Sequence, residues 1–175
     1  VVLDDYTHYS WVFPLRTKSD TSATLQCFFA YVSTQYNASI KCVQCDNGDE
    51  FLSFSLRDHF SRLGVVFRLS CPHTSPQNDK AGRLLRTTND VLRTLLVHAH
   101  MPPEYWVEAL YTANHLINRR PSPAITKLTP YFLLHGQHPS YDHLRVFGCL
   151  CFPNLTHQTP HKLAPRSTPC VLLRY

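Results

Sequence analysis

Two groups of residues have the types and spacing to do chemistry. The first is Asp46, a carboxylate opening the polar run Asp46-Asn47-Gly48-Asp49 just after the apolar stretch Ile40 to Cys45. A carboxylate in a glycine-containing turn at a strand's end is where α/β sheets place ligands and catalytic groups. An ordinary Asx-turn uses the same residues. The second is a helix face on which Gly82, Arg86, Asn89 and Arg93 fall at i, i+4, i+7 and i+11, with Lys80 and Arg83 beside them. Two arginines and an amide on one ridge suit phosphate contacts, and a solvated face has the same composition. Solvation does not explain Gly82, because a glycine inside a helix costs about 1 kcal/mol relative to alanine. A helix start, a close approach or a replacement would.

The cysteines and histidines carry less. Seven cysteines, an odd number with no export signal, fit a reduced, intracellular compartment. Cys42-x-x-Cys45 and Cys149-x-Cys151 have the spacing of zinc half-sites. Cys42 and Cys45, however, sit on a strand, where side chains three apart point to opposite faces. Small apolar cysteines are the better reading. His157 and His161 lie among prolines and threonines, without a helix to aim them together.

These groups are positioned by alternating strands and helices. Residues 1–5 and 9–16 read as a strand pair around a polar turn at Tyr6-Thr7-His8. Ser19 or Asp20 caps a helix to about Tyr36, with Leu25, Phe28, Phe29 and Val32 inside. A third strand covers 39–45, and a second helix covers 52–63 with Gly64 as its C-cap. A fourth strand spans 65–70, and 72–76 is a loop. A long helix begins near Asn78, burying Ala81, Leu84, Leu85, Thr88, Val91, Leu92, Leu95 and Leu96. Another spans 103–118, with Tyr105, Trp106, Ala109, Leu110, Ala113 and Leu116-Ile117 on its apolar face, and Pro121 and Pro123 end it. A short helix at 129–135 precedes strands at 144–152 and 170–173. The fold class is α/β.

Composition sets the outer bounds. The 175 residues are 43% hydrophobic, enough for a buried core. No apolar run reaches the roughly 18 residues of a membrane span, and Val1 to Asp5 has neither part of a signal peptide. A chain that opens at Val1, mid-strand and without an initiator, reads as a piece of something longer. The net charge of +5 and a pI near 8.9 suit a polyanionic partner and equally a solvated basic surface.

Several runs resemble copia-type retrotransposon integrases. Leu3-Asp4-Asp5-Tyr6-Thr7-His8-Tyr9-Ser10-Trp11-Val12-Phe13-Pro14-Leu15 is similar to their DD(Y/F)SRYTWVYPL, and Cys45-Asp46-Asn47-Gly48-Asp49-Glu50-Phe51 to their SDNGGEF. Pro72-His73-Thr74-Ser75-Pro76-Gln77-Asn78 resembles PHTPQQNG, and Ala81-Gly82-Arg83 stands where the family has AER. Tyr105-Trp106, Ala109 and Leu116-Ile117-Asn118-Arg119 resemble the YWxxAxxxAxxLINR helix. Leu144 to Cys149 and His161-Lys162-Leu163 resemble the SH3-like module that follows the core in these Pol polyproteins.

The resemblance implies a ribonuclease H-like integrase core over 1–136, a mixed sheet with flanking helices, and the start of an SH3-like β-module over 144–175. It implies DNA integration, a polynucleotidyl transfer joining element ends to a target duplex. Three carboxylates hold two magnesium (or manganese) ions for that in-line displacement. It further implies a homo-oligomer, with DNA as partner, in the nucleus or a cytoplasmic particle and off the membrane.

Asp46 matches the second carboxylate and metal ligand. Position 82, with 35 residues between it and Asp46, matches the third, and here it is Gly82. Asp4 and Asp5 match a structural pair on the second strand, so the first carboxylate belongs to a strand upstream of Val1. The expectation is therefore a core lacking its first strand, catalytically inactive, with Lys80, Arg83, Arg86, Asn89 and Arg93 as DNA contacts. The alternatives are a non-catalytic DNA-binding or assembly remnant and a non-functional element fossil. Loss of a central strand would also expose sheet edges and favour aggregation. Asp79, where the family has the glycine of an NG turn, Asp49 for a variable glycine, and Arg174 for a glycine near the end of the tail are lesser departures.

Overall fold

The computed structural model describes residues 1–46, 48–51, 53–70, 79–158, 161, 163 and 165–175. The 72–76 loop and Pro72–Asn78 motif, together with Asn47, Leu52 and Lys162, lie outside the described residues. Strands β1 (Val2–Leu3) and β2 (Ser10–Trp11) precede helix α1 (Thr21–Tyr36), β3 (Cys42–Cys45), α2 (Phe54–Arg62) and β4 (Val66–Leu69). Helices α3 (Asp79–His98), α4 (Trp106–Arg119) and α5 (Pro130–His135) follow, then β5 (Leu150–Cys151) and β6 (Cys170–Val171). Among the described residues β1 and β2 pair antiparallel, β3 and β4 parallel, and β5 and β6 antiparallel. The architecture is mixed α/β, and the chain divides into two compact units, Phe13–Arg83 and Val1–Val12 with Leu84–Tyr175.

In the unit Phe13–Arg83 aromatic rings fill the interior. Phe29 stacks near Phe60 at 5.1 Å, Phe60 meets Phe67 at 5.4 Å, and Phe13 meets Phe28 edge-on at 5.6 Å. Phe28, Phe29, Leu56 and Phe60 are buried as the helical spacing predicts. Helix α1 starts at Thr21 with Asp20 in the N-cap position, as expected. Thr17 N–H donates to the Asp20 carboxylate at 3.1 Å, closing a 3-10 turn over Lys18–Asp20 that leads into the helix. Gly64, at φ +68°, follows α2 with its N–H on the Ser61 carbonyl. That is the left-handed helix stop for which glycine is suited.

In the other unit the β1–β2 turn is built by Asp4. Its carboxylate accepts from the N–H and hydroxyl of Thr7 at 2.8 and 2.6 Å, and its backbone N–H donates to the Tyr9 carbonyl. Asp4 is thus a turn-former. The ladder is shorter than 9–16, with only Ser10 and Trp11 paired, to Leu3 and Val2. On α4, Asn118 and Asn114 reach Ser10, 108 and 104 residues away. Asn118 Oδ1 accepts from Ser10 N–H at 2.9 Å while its Nδ2 donates to the Ser10 carbonyl at 2.8 Å. Asn114 Nδ2 donates to the same carbonyl at 3.0 Å and its Oδ1 takes the Ser10 hydroxyl at 2.6 Å.

Leu96, Ala109 and Phe147 form the core where α3, α4 and the tail meet, with Leu92, Leu95, Ala99, Met101, Tyr105 and Leu173 around it. Two residues expected inside are not. Leu85 is 47% exposed and Trp106 is 43% exposed, each on the outer edge of its helix's apolar stripe. The expected strand 144–152 is reduced to Leu150–Cys151. Gly148 breaks it, at φ +80°, where a Cβ would stand 2.4 Å from the Ala99 methyl. Only glycine meets both demands. Arg174 stacks on Tyr111 at 4.1 Å.

On α4, His115 is wedged between the rings of Tyr175 (5.1 Å) and His143 (5.7 Å). Burial, helped by the nearby cations Arg119 and His143, lowers its pKa from 6.5 to about 4. The unfolded chain therefore binds this proton more readily than the folded one, so stability is full above pH 6.5 and falls as pH drops towards 4. We expect the urea midpoint to decline between pH 7 and pH 5, and His115→Phe to flatten that decline. An unchanged slope in the variant would show that other groups set it.

Candidate functional site

Asp46 stands at the carboxyl end of β3, where the parallel partner β4 ends opposite it: Cys45 pairs with Leu69, and Ser70 N–H donates to the Cys45 carbonyl at 3.0 Å. The side chain is exposed, and its Oδ1 accepts weakly from Gly48 N–H at 3.3 Å. That is the Asx-turn geometry, and it leaves the carboxylate facing solvent. Behind it Cys45 is buried, and burial with the neighbouring Asp46 carboxylate pushes its thiol up to about 11. Cys42 is exposed, so the Cys42 and Cys45 side chains lie on opposite faces, as strand geometry requires.

After the turn, Glu50 folds back over Gly48. A Cβ at Gly48 would stand 2.8 Å from the Glu50 carboxylate, which also meets Lys18 at 3.9 Å. Lys18, Ser19, Ser22, Gly48, Asp49, Glu50 and Ser53 line an open pocket beside this turn. Its mixed charge was not apparent from the sequence, because Lys18 and Glu50 approach only through the fold.

Gly82 lies in the first turns of α3, which runs unbroken through it. It is exposed, and a Cβ there would meet nothing within 4 Å. Among the described residues no close approach requires this glycine, so a larger side chain has room there. Asp79, where the family has the glycine of an NG turn, opens the helix. Its carboxylate pairs with Arg83 at 3.3 Å at the end of the helix that favours negative charge. Lys80, Arg83, Arg86, Asn89 and Arg93 are all exposed along α3. Asp46, Lys80, Gly82 and Arg83 belong to the unit Phe13–Arg83, and Arg86, Asn89 and Arg93 to the other.

The magnesium or manganese that the resemblance implies does not fit this donor set. Asp46 offers one carboxylate and Gly82 none. Among the described residues no three His, Cys, Asp or Glu side chains group as metal ligands. A pair of ions about 3.5–4 Å apart needs bridging and flanking carboxylates, so no chemical step is assigned to metal here. His157 and His161 are exposed and part of no such group. Among the described residues no helix is long and apolar enough to cross a membrane.

No protein-family profile matches the chain. Its fold is shared with the HTLV-2 integrase catalytic core domain, solved in complex with magnesium in a trimeric form. The TM-score is 0.59 at 15% identity, covering 76% of this chain and 81% of that one. In sequence, the chain is 37% and 38% identical over all 175 residues to the retrovirus-related Pol polyproteins from transposons RE2 and RE1 of Arabidopsis thaliana. It is 33% identical over 173 residues to that from transposon TNT 1-94 of Nicotiana tabacum. The chain spans 12–13% of the length of these relatives. With the integrase fold and an alignment that leaves no part of it unmatched, this chain belongs with the retrovirus-related Pol polyproteins of copia-type transposons.

Proposed function

We propose that the chain is the integrase core of such a Pol polyprotein, over 1–136, followed by the start of an SH3-like module over 144–175. Its family role is DNA integration, and this copy has lost the chemistry while keeping a surface for DNA. The observation that carries the reading is Gly82. It occupies the place of the third carboxylate, on an intact helix, with open space where the missing side chain would stand. The first carboxylate is assigned to a strand outside these 175 residues, in line with the turn-forming role of Asp4. Self-association, as in the trimeric form of the HTLV-2 neighbour, belongs to the same reading.

DNA contact falls to the cations of α3. Lys80, Arg83, Arg86 and Arg93 are exposed along the helix with Asn89 among them, and the ion pair of Arg83 with Asp79 is itself solvent-facing. Exposed pairs of that kind are worth about 1 kcal/mol or less, so a phosphate can displace the aspartate. We expect affinity for a labelled duplex, followed by fluorescence anisotropy, to fall steeply with salt and to be indifferent to EDTA. Arg83→Ala, Arg86→Ala and Arg93→Ala should each reduce the log–log salt slope by about 0.9 per lost phosphate contact. Binding that the triple variant leaves unchanged would remove this surface from the account. No binding at low salt would favour the fossil reading.

A further inference from the structure

The two strands at the carboxyl end place one cysteine directly across from another. Leu150 pairs with Val171 and Cys151 with Cys170 in antiparallel register. Both cysteines are free and half-buried. Directly opposed residues of an antiparallel pair have Cα atoms about 4.5–5.5 Å apart and side chains on the same face. A disulfide needs Cα atoms roughly 4.4–6.8 Å apart, so the register lies inside the range.

The neighbouring Cys149 shows how selective that register is. Its carbonyl accepts from Leu172 N–H at 3.0 Å, and Leu172 N–H lies two residues beyond Cys170 along the partner strand. Diagonal positions in a sheet are about 7–8 Å apart, outside the disulfide range. Two cysteines with one residue between them thus differ sharply in access to the same partner. The loop between the strands is already drawn together. Leu155 N–H donates to the Arg166 carbonyl at 2.7 Å and Ser167 Oγ to the Pro153 carbonyl at 2.9 Å. A covalent link across its base therefore follows the existing fold.

We propose that Cys151 and Cys170 are a redox-responsive dithiol that closes to an intrachain disulfide by exchange with a small-molecule disulfide, glutathione disulfide being the probe. One protein thiolate attacks a sulfur of glutathione disulfide, forming a mixed disulfide and expelling one glutathione thiolate. The second protein thiolate attacks the protein sulfur of that mixed disulfide, forming the Cys151–Cys170 bond and expelling the second glutathione. The two protons lost by the cysteines end on the two glutathione thiols. The protein is oxidised by two electrons and the glutathione disulfide is reduced by two. Reducing conditions hold the pair open, and an oxidising shift pins β5 to β6.

The test is to equilibrate the 175-residue chain with oxidised and reduced glutathione, trap remaining thiols by alkylation, and map linked peptides by mass spectrometry. The expected dominant product is the Cys151–Cys170 link, at least tenfold over Cys149–Cys170, and Cys149→Ser leaves it intact. In Cys151→Ser, Cys170 is instead recovered as a glutathione adduct. Repeating the native mapping in strong urea supplies a control that does not depend on any variant folding, and the tenfold preference disappears there. Recovery of Cys151 and Cys170 as separate glutathione adducts from the native chain would overturn the proposal. So would equal yields of the two links, or a preference that persists in urea.

Discussion

Replacing Gly82 by glutamate is expected to turn metal-dependent DNA strand transfer on, by at least roughly a thousandfold over the natural sequence. Removing one member of an interdependent catalytic set costs about 10⁴-fold or more, and returning the last missing member recovers most of that. The assay needs the chain extended upstream with the acidic first strand of an intact relative, so that position 82 is the sole difference. Space is not an obstacle, because a Cβ at Gly82 meets nothing within 4 Å, and the helix is not disturbed because glutamate is a better helix former than glycine. Gly82→Gln keeps the size and removes the charge, and it should stay inactive. If the glycine version joins DNA as well as the glutamate version does, the third carboxylate lies elsewhere. If neither joins DNA while both stay folded, the decay extends beyond position 82.

The second large effect concerns stability. Asn118→Leu should destabilise the chain by about 2–3 kcal/mol. Ser10 is wholly buried, and the substitution takes away the acceptor of its N–H and one of the two donors to its carbonyl. A buried polar group left without its partner costs about 1–3 kcal/mol. Asn114 retains the Ser10 hydroxyl and the other carbonyl bond, which keeps the loss below that of a fully dismantled clamp. Trp11, next to Ser10, reports the transition by fluorescence in urea at low protein concentration. A shift worth less than about 0.5 kcal/mol, below the cost of an unpartnered buried group, would show that Asn114 and apolar packing hold β2 to α4 without Asn118. The clamp ties the TWVF-like strand to the INR-like helix, so two of the family's recognisable motifs are one structural joint.

Much of this fold was legible because its helices are long and periodic. The spacing of Phe28 and Phe29, or of Ala109 and Ala113, selects one face without help from neighbours, and these four residues are buried. Strand lengths were not legible, since they depend on pairing. Residues 9–16 read as one apolar and aromatic run, yet only Ser10–Trp11 finds a partner in β1. In the tail, Gly148 turns the backbone into the left-handed region against Ala99, and an apolar run that reads as one strand becomes a turn and two paired residues. Leu85 and Trp106 belong to the right helices, but each sits where no neighbour covers it.

The site was legible in part for the same reason. Asp46 follows an apolar strand and precedes a glycine, a local signal that survives in the fold as a strand-end Asx-turn. The openness around Gly82, the mixed charge of the pocket beside Gly48 and the reach of Asn118 to Ser10 depend on residues far apart in the chain. Periodicity has no access to them. The Asp79 carboxylate illustrates the converse: read against a family turn it is a defect, whereas in the structure it opens α3 and pairs with Arg83.

The most direct test of the central claim, that Gly82 deprives this copy of its catalytic metal pair, is manganese binding, followed by electron paramagnetic resonance, to the chain extended upstream with the acidic first strand of an intact relative. In that extended chain Gly82 should leave the aqueous manganese signal essentially unchanged at submillimolar metal, and Gly82→Glu should introduce saturable uptake. Saturable uptake of two ions per chain by the glycine version, abolished by Asp46→Asn, would contradict the account and place a working metal centre where position 82 supplies no carboxylate.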